Sequence, residues 1–399
     1  MSLCSHTPKR KSWTFYMMGS SNGFLKSSSQ RSSRIFGILL LLSFQFSCMQ
    51  AEKFSLDASN PAGLFLQIAI PNVIAAANGN NASGSSFTAT GDIHSVKLSW
   101  PAVTDGSKFK IYSSNTSSVT ATGSPEITGS GTGIAGNSFT HSGLTGGETR
   151  YYLLEKIQTD GTKSYSQIAQ ATTYYLPTDV SSLVLWLNAE AGITKDGANK
   201  ITTWQDQVNA NVFTRYYANQ EPYWLPTYRN QRPFVQMSNG EGRFFSGSGV
   251  PITGSSYTML FVVEQNAISV ASEGIIHLSG GGVTLYLKFY NGQLLINSSG
   301  GDFQSNAYAT NAAHILTMQF SGTGTSLYLN GSLQKNTTNV YNAVGNNLTY
   351  LGVYSGGSGF DGRLAETLIY NQGLSAADRV KAECYLAFKY SLTVPHTCN

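Results

Sequence analysis

One stretch near the end of the chain, Gly362–Leu392, restricts the fold more than any other. Ser375 and Asp378 have the spacing of a capping box, which marks a helix start. An apolar stripe at helical spacing follows, formed by Ala377, Val380, Cys384, Ala387 and Phe388. Before the helix, Leu364–Tyr370 is apolar on both sides, which predicts a strand buried between a second sheet and the helix. Because no other stretch predicts a comparable amphipathic helix, we expect the rest of the chain to be β-structure.

Glu366 interrupts this apolar strand. Acid–base catalysis by a carboxylate needs a positioned partner, and none is apparent around it. A buried carboxylate is normally hydrogen-bonded, so we interpret Glu366 as a structural residue.

The composition suits an extracellular β-protein with many turns. Only 12% of the residues are charged, whereas glycine (41 residues) and aromatic residues (12%) are abundant. The formal charge of +4 arises at the N terminus, because residues 1–47 contain six basic residues and no acidic one. Without them, 19 basic residues face 21 acidic ones, a net charge of −2. This balance offers no basic surface for nucleic acid.

Residues 1–47 are predicted to be an export signal. Arg31 and Arg34 precede the apolar run Ile35–Phe46, which is too short to cross a bilayer but suits the core of a signal peptide. The residues upstream make this leader unusually long. We therefore expect translation to start at Met17 or Met18.

Ser47 and Cys48 follow the apolar run directly. A cysteine after a small residue at this place resembles the lipobox of bacterial lipoproteins, in the relaxed form of spirochaetes, since Gln45 stands where a branched aliphatic residue is usual. The resemblance implies acylation of Cys48 and anchoring in the outer membrane or at the cell surface. The alternative is an ordinary secreted protein.

Residues 48–84 are predicted to be a tether, because AAANGNNASG has the composition of a flexible spacer. Its apolar patch, Leu64–Ile70, alternatively adds a strand to the next domain. Residues 85–173 contain short apolar or alternating runs between turn clusters, which predicts a small β-sandwich. The stretches SVKLSWPAV, KFKIYSSN and HSGLTGGETRYYLLEKIQTDGTKSYSQIAQATT resemble a bacterial fibronectin type III domain. The resemblance implies a spacer or binding module with Trp100 in its core and Tyr151 or Tyr152 as the corner tyrosine.

Residues 174–179 are predicted to be a linker, after which short strands recur to the end of the chain. Asn291-Gly292 and Asn330-Gly331 lie between runs that can pair, a strong hairpin signal. One domain, residues 180–392, is therefore predicted to be a large antiparallel sandwich followed by a tail, residues 393–399.

Several stretches of this domain resemble the laminin G-like, concanavalin A-like domains of bacterial surface proteins. They are SSLVLWLNAEAGI, ITTWQDQ, SLYLNGSL, LTYLGVYSGG and FDGRLAETLIYNQGLSAADRVKAECYLAFKYSL. The resemblance implies an all-β chain, with a small sandwich followed by a concanavalin-like jelly roll that ends in one helix. Two departures weaken any calcium role: Gln207–Asn209 replaces the family's serine-glycine-asparagine, and Met237–Gly240 lacks its aspartate.

The sequence contains no motif for catalysis or metal binding. Glycosidases on this architecture need two carboxylates across the scissile bond, and the acids here are isolated. The histidines occur singly, without metal-ligand spacing. Asp206 and Asp361 are too few oxygen ligands to define a calcium site. We therefore predict no enzyme and no cofactor.

The stretch Arg215–Pro233 is the candidate ligand-binding region, predicted to be a loop. It concentrates aromatic residues beside arginines, a combination enriched at binding sites, and flat rings also suit stacking on sugars. The predicted ligand-binding residues are Tyr216, Tyr217, Tyr223, Trp224 and Arg229. The alternative is that these rings cover the sandwich core.

Cys384 and Cys398 are the cysteines that remain after export and acylation. Outside the cytoplasm they can form a disulfide, which would stabilise the fold by roughly 3 kcal/mol. Cys384 also lies on the apolar stripe of the helix, so a buried free thiol is the alternative.

The sequence thus predicts a non-catalytic, lipid-anchored surface protein whose distal domain binds a glycan or an extracellular-matrix protein. Two other functions stay open. One is a carbohydrate-active enzyme or its accessory subunit, and the other is a structural envelope lipoprotein.

Overall fold

The computed structural model describes residues 87–217, 220–238, 243–269, 271–298, 301–354 and 358–398. All of them belong to one compact unit, Ala82–Asn399. The predicted signal peptide, Cys48 and the predicted tether of residues 48–84 lie outside the described residues. Within the described ranges, no helix combines the length and the apolar composition needed to cross a membrane.

The described chain begins with a small β-sandwich. Its strands are β1 (Thr88–Asp92), β2 (Ser95–Ser99), β3 (Lys108–Ser114), β4 (Ser138–Ser142), β5 (Thr149–Ile157), β6 (Lys163–Tyr165) and β7 (Ala169–Thr172). One antiparallel sheet contains β1, β2 and β4. The other contains β3, β5, β6 and β7, with β6 and β7 pairing to different halves of β5.

Trp100 and Tyr152 lie in the core of the small sandwich. The ring centre of Trp100 is 5.3 Å from that of Phe109, and its Nε1–H donates to the carbonyl of Gly136 at 3.0 Å. Tyr152 is fully buried, whereas Tyr151 is half-buried. Trp100 therefore takes the predicted core position, and Tyr152 is the buried tyrosine of the two candidates.

Residues 174–179 pack against both sandwiches. The backbone N–H of Tyr174 donates to Asp92 of β1 at 3.0 Å, and its ring stacks on Phe388 with centres 3.8 Å apart. Pro177–Asp179 forms a single 3₁₀ turn. The carboxylate of Asp179 lies 2.6 Å from His94 Nε2 of the small sandwich.

The large sandwich contains the remaining strands and the one α-helix of the described residues. The strands are β8 (Leu183–Asn188), β9 (Ile193–Lys195), β10 (Ile201–Gln205), β11 (Val212–Arg215), β12 (Tyr223–Arg229), β13 (Arg232–Met237), β14 (Phe245–Ser248), β15 (Tyr257–Gln265), β16 (Glu273–Gly280), β17 (Val283–Tyr290), β18 (Gln293–Ser298), β19 (Gly301–Ala307), β20 (His314–Ser321), β21 (Gly324–Leu329), β22 (Ser332–Thr337), β23 (Leu348–Leu351), β24 (Val353–Tyr354), β25 (Ser358–Gly359) and β26 (Gly362–Tyr370). The helix, α1, spans Ala376–Tyr390.

Two large antiparallel sheets form this sandwich in the described part of the chain, and β24 and β25 form a separate two-stranded pair. The nine-stranded sheet has the order β19-β18-β17-β16-β23-β14-β11-β10-β9. The eight-stranded sheet has the order β12-β13-β26-β15-β20-β21-β22, and β8 pairs with the second half of β26. Between them lies the main core, with large buried side chains such as Trp204, Phe213 and Phe261.

β15 and β26 are buried on both faces, apart from half-buried Arg363. Phe261 of β15 points into the core between the sheets, whereas Leu260 and Val262 belong to a second apolar cluster with Leu386 of α1. Because the helix covers the outer face of this sheet, its central strands need no polar side. β26 is therefore buried between the second sheet and the helix, as the sequence predicted.

The buried face of α1 differs from the predicted stripe. Ala377 is exposed and Phe388 is half-buried. The residues that α1 buries are Ala382, Glu383, Cys384, Tyr385, Leu386, Ala387, Lys389 and Tyr390. The predicted stripe was partly wrong because it contained only apolar residues, whereas the buried face also includes Glu383 and Lys389. Both are buried with charged partners, Glu383 with Arg379 at 2.8 Å.

The carboxylate of Glu366 is buried beneath α1 and accepts four hydrogen bonds from side chains. The donors are Trp186 Nε1 at 2.6 Å, the Tyr385 hydroxyl at 2.8 Å, Lys389 Nζ at 2.9 Å and the Tyr390 hydroxyl at 2.8 Å. One donor comes from β8 and three come from α1. These contacts give Glu366 the hydrogen-bonded environment that the sequence predicted.

A disulfide between Cys384 and Cys398 joins the C-terminal tail to α1. Of the two states that the sequence left open for Cys384, the structure contains the disulfide. The bond holds the tail beside the helix that closes the large sandwich.

The stretch Arg215–Pro233, predicted to be a loop, contains strands. Tyr223–Arg229 forms β12, and a turn at Asn230 and Gln231 leads into β13; both turn residues have positive φ, 48° and 59°. The loop prediction was wrong, because residues 223–229 form an edge strand that includes Pro226. An edge strand tolerates proline, since it has no partner on one side.

The burial of side chains on α1 predicts which substitutions in the helix destabilise the large sandwich most. We expect Leu386→Ala to destabilise the large sandwich by about 2 to 5 kcal/mol, because the fully buried side chain leaves a cavity. Phe388→Ala should cost about 1 to 2 kcal/mol, because the half-buried ring mainly stacks on Tyr174. Urea unfolding with the disulfide intact measures both. A larger loss for Phe388→Ala would contradict the packing described here.

Candidate functional site

The structure divides the five predicted ligand-binding residues between the two sheets of the large sandwich. Tyr216 and Tyr217 follow β11 of the nine-stranded sheet. Tyr223, Trp224 and Arg229 lie on β12, an edge strand of the eight-stranded sheet. The five residues therefore form two groups.

On β12, Trp224 and Tyr223 are held by contacts within the protein. Trp224 donates its Nε1–H to the carbonyl of Ala189 at 2.8 Å, and its partly buried ring packs on the main core. The Lys195 ammonium lies 4.6 Å from the Trp224 ring centre, and the Arg243 guanidinium lies 4.3 Å from that of Tyr223. These contacts favour the alternative that this group covers the core.

Arg229 belongs to an ion cluster around Glu264. The Arg229 guanidinium lies 3.3 Å from one carboxylate oxygen of Glu264, and Arg363 lies 2.9 Å from the other. Tyr228 donates its hydroxyl to the same carboxylate, and burial together with this hydrogen bond raises the pKa of Tyr228. The cluster joins the β12–β13 hairpin to β15 and β26.

Tyr216 and Tyr217 begin a line of rings that we call the aromatic row. In order, its members are Tyr217, Tyr216, Tyr350, His277 and Tyr286, and successive ring centres are 4.7, 5.6, 5.3 and 4.0 Å apart. The buried ring of Phe244 supports the first two members, at 5.1 Å from Tyr216 and 5.4 Å from Tyr217. The row crosses several strands of the nine-stranded sheet.

Strand register places three members of the row on one face. Tyr350 of β23 pairs with His277 of β16, which pairs with Tyr286 of β17. Directly paired residues of antiparallel strands point to the same side of a sheet. Their neighbours along the strands, such as Leu278 and Leu351, point into the main core. The aromatic row therefore lies on the outer face of the nine-stranded sheet.

Burial increases along the aromatic row. Tyr216 and Tyr217 are 45% and 46% exposed, whereas His277 is 9% exposed. No described residue forms a hydrogen bond with His277 Nε2, and burial lowers the pKa of this imidazole to about 4. At neutral pH the ring is therefore uncharged, with its plane within 25° of both flanking tyrosines.

Sequence reasoning found Tyr216 and Tyr217 but missed Tyr350, His277 and Tyr286. The first two stand in an aromatic stretch, whereas the other three lie on different strands. The period of two residues in a strand does place Tyr286 and Tyr350 on the side opposite their leucine neighbours. It does not show which strands are neighbours, and the row depends on that.

A second concave surface lies between β19 and β22. It is an open groove of about 430 Å³ lined by Phe303, Gln304, Lys335, Asn336 and Thr337. The Lys335 ammonium lies 5.7 Å from the centre of the Phe303 ring. The groove offers one aromatic ring, and that ring is buried.

Asp206 and Asp361, the acids considered for calcium, have structural partners. Asp206 accepts three backbone hydrogen bonds, and burial raises its pKa. Asp361 accepts a side-chain hydrogen bond at 2.9 Å. Within the described ranges, one group of three metal-ligand types lies close together, formed by Cys384, His396 and Cys398. Its two sulfur atoms are joined in the disulfide, so neither is a thiolate ligand.

Comparison with protein families identifies part of the large sandwich. Residues 238–378 match the model of the concanavalin A-like lectin/glucanases superfamily, named Laminin_G_3. This region is therefore similar to that superfamily, and the predicted fold class, all-β with a concanavalin-like sandwich and one C-terminal helix, is confirmed. A comparison with curated protein sequences finds no match.

Several solved structures are similar to parts of the chain. Domain 4 of an extracellular GH43 arabinanase from Geobacillus stearothermophilus, in complex with arabinotriose, shares 13% identity at a TM-score of 0.38, covering 49% of this chain and 96% of that domain. A Trypanosoma rangeli sialidase mutant shares 13% sequence identity at a TM-score of 0.40, and the match covers 63% of this chain and 44% of the sialidase chain. The binding domain of botulinum neurotoxin serotype D shares 14% sequence identity at a TM-score of 0.37, and the match covers 51% of this chain and 50% of the neurotoxin chain. The chain thus spans half or less of the sialidase and neurotoxin chains.

The lowered pKa of His277 predicts a pH-dependent stability. Below the ordinary value of 6.5 the unfolded chain binds a proton that the folded imidazole resists until about pH 4. The stability that the uncharged His277 ring contributes is therefore complete above pH 6.5 and is lost as the pH falls towards 4. His277→Phe, which keeps a flat ring without a titrating nitrogen, should show a smaller fall in Tm between pH 7 and pH 4. An unchanged pH slope would contradict this assignment.

Proposed function

We propose that the large sandwich is a carbohydrate-binding domain and that the aromatic row is its ligand site. The observation that carries the proposal is the row itself, with Tyr216 and Tyr217 exposed at one end. The faces of sugar rings carry C–H groups that stack on flat aromatic rings, and phenol hydroxyls can hydrogen-bond to sugar hydroxyls. The match of residues 238–378 to a lectin and glucanase superfamily supports the same class of ligand.

The architecture favours a ligand site on the outer face of the nine-stranded sheet over one on the outer face of the eight-stranded sheet. The outer face of the eight-stranded sheet is covered by α1, whose side chains share an apolar cluster with β15 and β26. The rings of Tyr216 and Tyr217 instead rest on buried Phe244, which fixes their positions without covering them. Rings held in place before binding lose little conformational entropy when a ligand stacks on them.

We further propose that the protein is non-catalytic and acts in adhesion or recognition at the cell surface, with a glycan or a glycosylated matrix protein as partner. Acylated Cys48 would hold it in the membrane, and residues 48–84 would serve as the tether. The small sandwich, as a fibronectin type III-like module, would space the large sandwich from the membrane. The leader composition and the lipobox-like Cys48 support this arrangement.

A panel of immobilised glycans and polysaccharides tests the site. The full chain should bind at least one glycan, and Tyr216→Ala and Tyr217→Ala should each weaken binding by about tenfold, which is about 1.4 kcal/mol. Tyr290→Ala is the matched control, because it removes another tyrosine of the nine-stranded sheet that is 41% exposed but lies outside the row. If Lys335→Ala abolishes binding and the tyrosine variants do not, the ligand occupies the groove between β19 and β22.

Metabolic labelling tests the anchor. Cells that express the full chain and are fed a clickable palmitate analogue should label the protein, and Cys48→Ala should abolish the label while Cys398→Ala leaves it. Equal labelling of the wild type and Cys48→Ala would contradict acylation at this residue.

A further inference from the structure

A lysine, an asparagine and a glutamate meet in the buried space between α1 and the eight-stranded sheet. Lys389 of α1, Asn188 of β8 and Glu366 of β26 are 4%, 8% and 0% exposed. Asn188 and Glu366 are direct cross-strand partners, so their side chains point to the same face, towards the helix. The Lys389 ammonium contacts both of these side chains from the helix side. The three residues come from the first strand, the last strand and the last helix of the large sandwich.

The distances bring an amine next to a carboxamide. Lys389 Nζ lies 3.0 Å from Asn188 Oδ1 and 2.9 Å from Glu366 Oε2. Since a C=O bond is about 1.2 Å long, the carboxamide carbon of Asn188 lies no more than about 4.2 Å from the amine nitrogen. The amine, the carbon it could attack and a proton acceptor are therefore in mutual reach.

A backbone N–H is placed where negative charge would develop. The amide of Glu190 donates to Asn188 Oδ1 at 2.9 Å, so the carboxamide oxygen already accepts two hydrogen bonds. Donors aimed at a carbonyl oxygen polarise it and stabilise the oxyanion formed when a nucleophile adds. The structure thus supplies the electrophilic assistance that an unactivated amide needs.

Aromatic side chains enclose the three residues. Trp186, Tyr385 and Tyr390 donate hydrogen bonds to Glu366 and keep its carboxylate fixed beside Lys389. Because the site is buried, the amine and the carboxamide meet with little water between them. Fixed proximity of this kind replaces a bimolecular encounter and accelerates reactions between poor partners.

We propose that Lys389 and Asn188 become joined by an amide bond between their side chains, formed by the folded protein itself with Glu366 as the proton carrier. Glu366 takes a proton from the Lys389 ammonium. The neutral amine attacks the carboxamide carbon of Asn188, and the C–N bond forms while the oxyanion is held by the Glu190 N–H. Glu366 then transfers its proton to the carboxamide nitrogen.

The old C–N bond of Asn188 breaks, and its nitrogen departs as ammonia. The attacking nitrogen gives its second proton to Glu366, which ends as a neutral carboxylic acid where the Lys389 charge has been lost. The net reaction converts an ammonium–carboxylate pair and a carboxamide into a substituted amide, a neutral carboxylic acid and ammonia. It is not a redox reaction and requires no cofactor.

A second carboxylate near Lys389 has its own cation. Glu190 Oε2 lies 3.0 Å from Lys389 Nζ, while Glu190 Oε1 pairs with Arg232 at 2.6 Å. With Arg232 in place, Glu190 remains paired after the Lys389 charge is lost. Glu366 has no other cation among its described partners, so it is the carboxylate suited to receive a proton.

The chain contains a natural control for this geometry. Lys195 Nζ lies 2.7 Å from Asn199 Oδ1, which is closer than in the buried pair. That contact is exposed to solvent, and the ammonium lies over the Trp224 ring. We expect no amide bond there, because neither burial nor a proton carrier accompanies the contact.

Mass spectrometry of the purified, disulfide-reduced full chain tests the proposal. We expect a mass lower by one ammonia than that of the unlinked chain, and a tryptic map with one joined species that contains Asn188 and Lys389. Cleavage after Lys389 should be absent. Lys389→Arg, Asn188→Ala and Glu366→Gln should each restore the full mass, and Lys381→Arg, which alters a helix lysine paired with Asp378, should not.

The wild-type measurement decides the question even if a core variant does not fold. Succinimide formation at Asn291-Gly292 or Asn330-Gly331 also removes ammonia, but it joins no peptides. Ammonia loss without the joined species would therefore overturn the proposal. So would a full mass with normal cleavage after Lys389, and Lys389 would then be a buried ammonium paired with Glu366 and Glu190. A joined species at Lys195 and Asn199 as well would overturn the role assigned to Glu366 and burial.

Discussion

The large sandwich depends on the carboxylate of Glu366. A carboxylate removed from water is costly unless hydrogen bonds and an opposite charge replace its hydration. Here Trp186 of β8 and three side chains of α1 supply that replacement. Because the donors come from both elements, the carboxylate is satisfied only when helix, first strand and last strand are assembled together. A buried polar group thus contributes to how the helix is oriented on its sheet.

The helix cap and the hairpin turns could be predicted from the sequence, because they depend on residues that are close together in the chain. Ser375 caps α1 by accepting the Asp378 N–H, and the Asn291-Gly292 and Asn330-Gly331 turns have the positive φ angles expected of them. Glu366 could be predicted to be hydrogen-bonded because it interrupts a buried strand. By contrast, the Asn230-Gln231 turn contains no glycine, so the sequence shows no hairpin signal there. The strand before it, β12, was therefore predicted to be part of a loop.

The remaining features depend on which strands become neighbours, and periodicity does not contain that information. The side of α1 that is buried could not be deduced, because Glu383 and Lys389 meet their charged partners only in three dimensions. The aromatic row could not be predicted for the same reason, since Tyr350 and His277 are adjacent only because β23 pairs with β16. The proposed carbohydrate site therefore belongs to the sheet as a whole and to no single stretch of sequence.

The antiparallel pairing of β8 with β26 has a mechanical consequence. Chain that arrives from the small sandwich enters the large one through β8, which is held along its length by β26 and beneath α1. A pull along β8 loads its hydrogen bonds with β26 in shear, so they share the force and do not open one after another. This geometry resists extraction of the first strand when the chain is under tension, as it would be in the proposed arrangement of an anchored protein bound to a ligand.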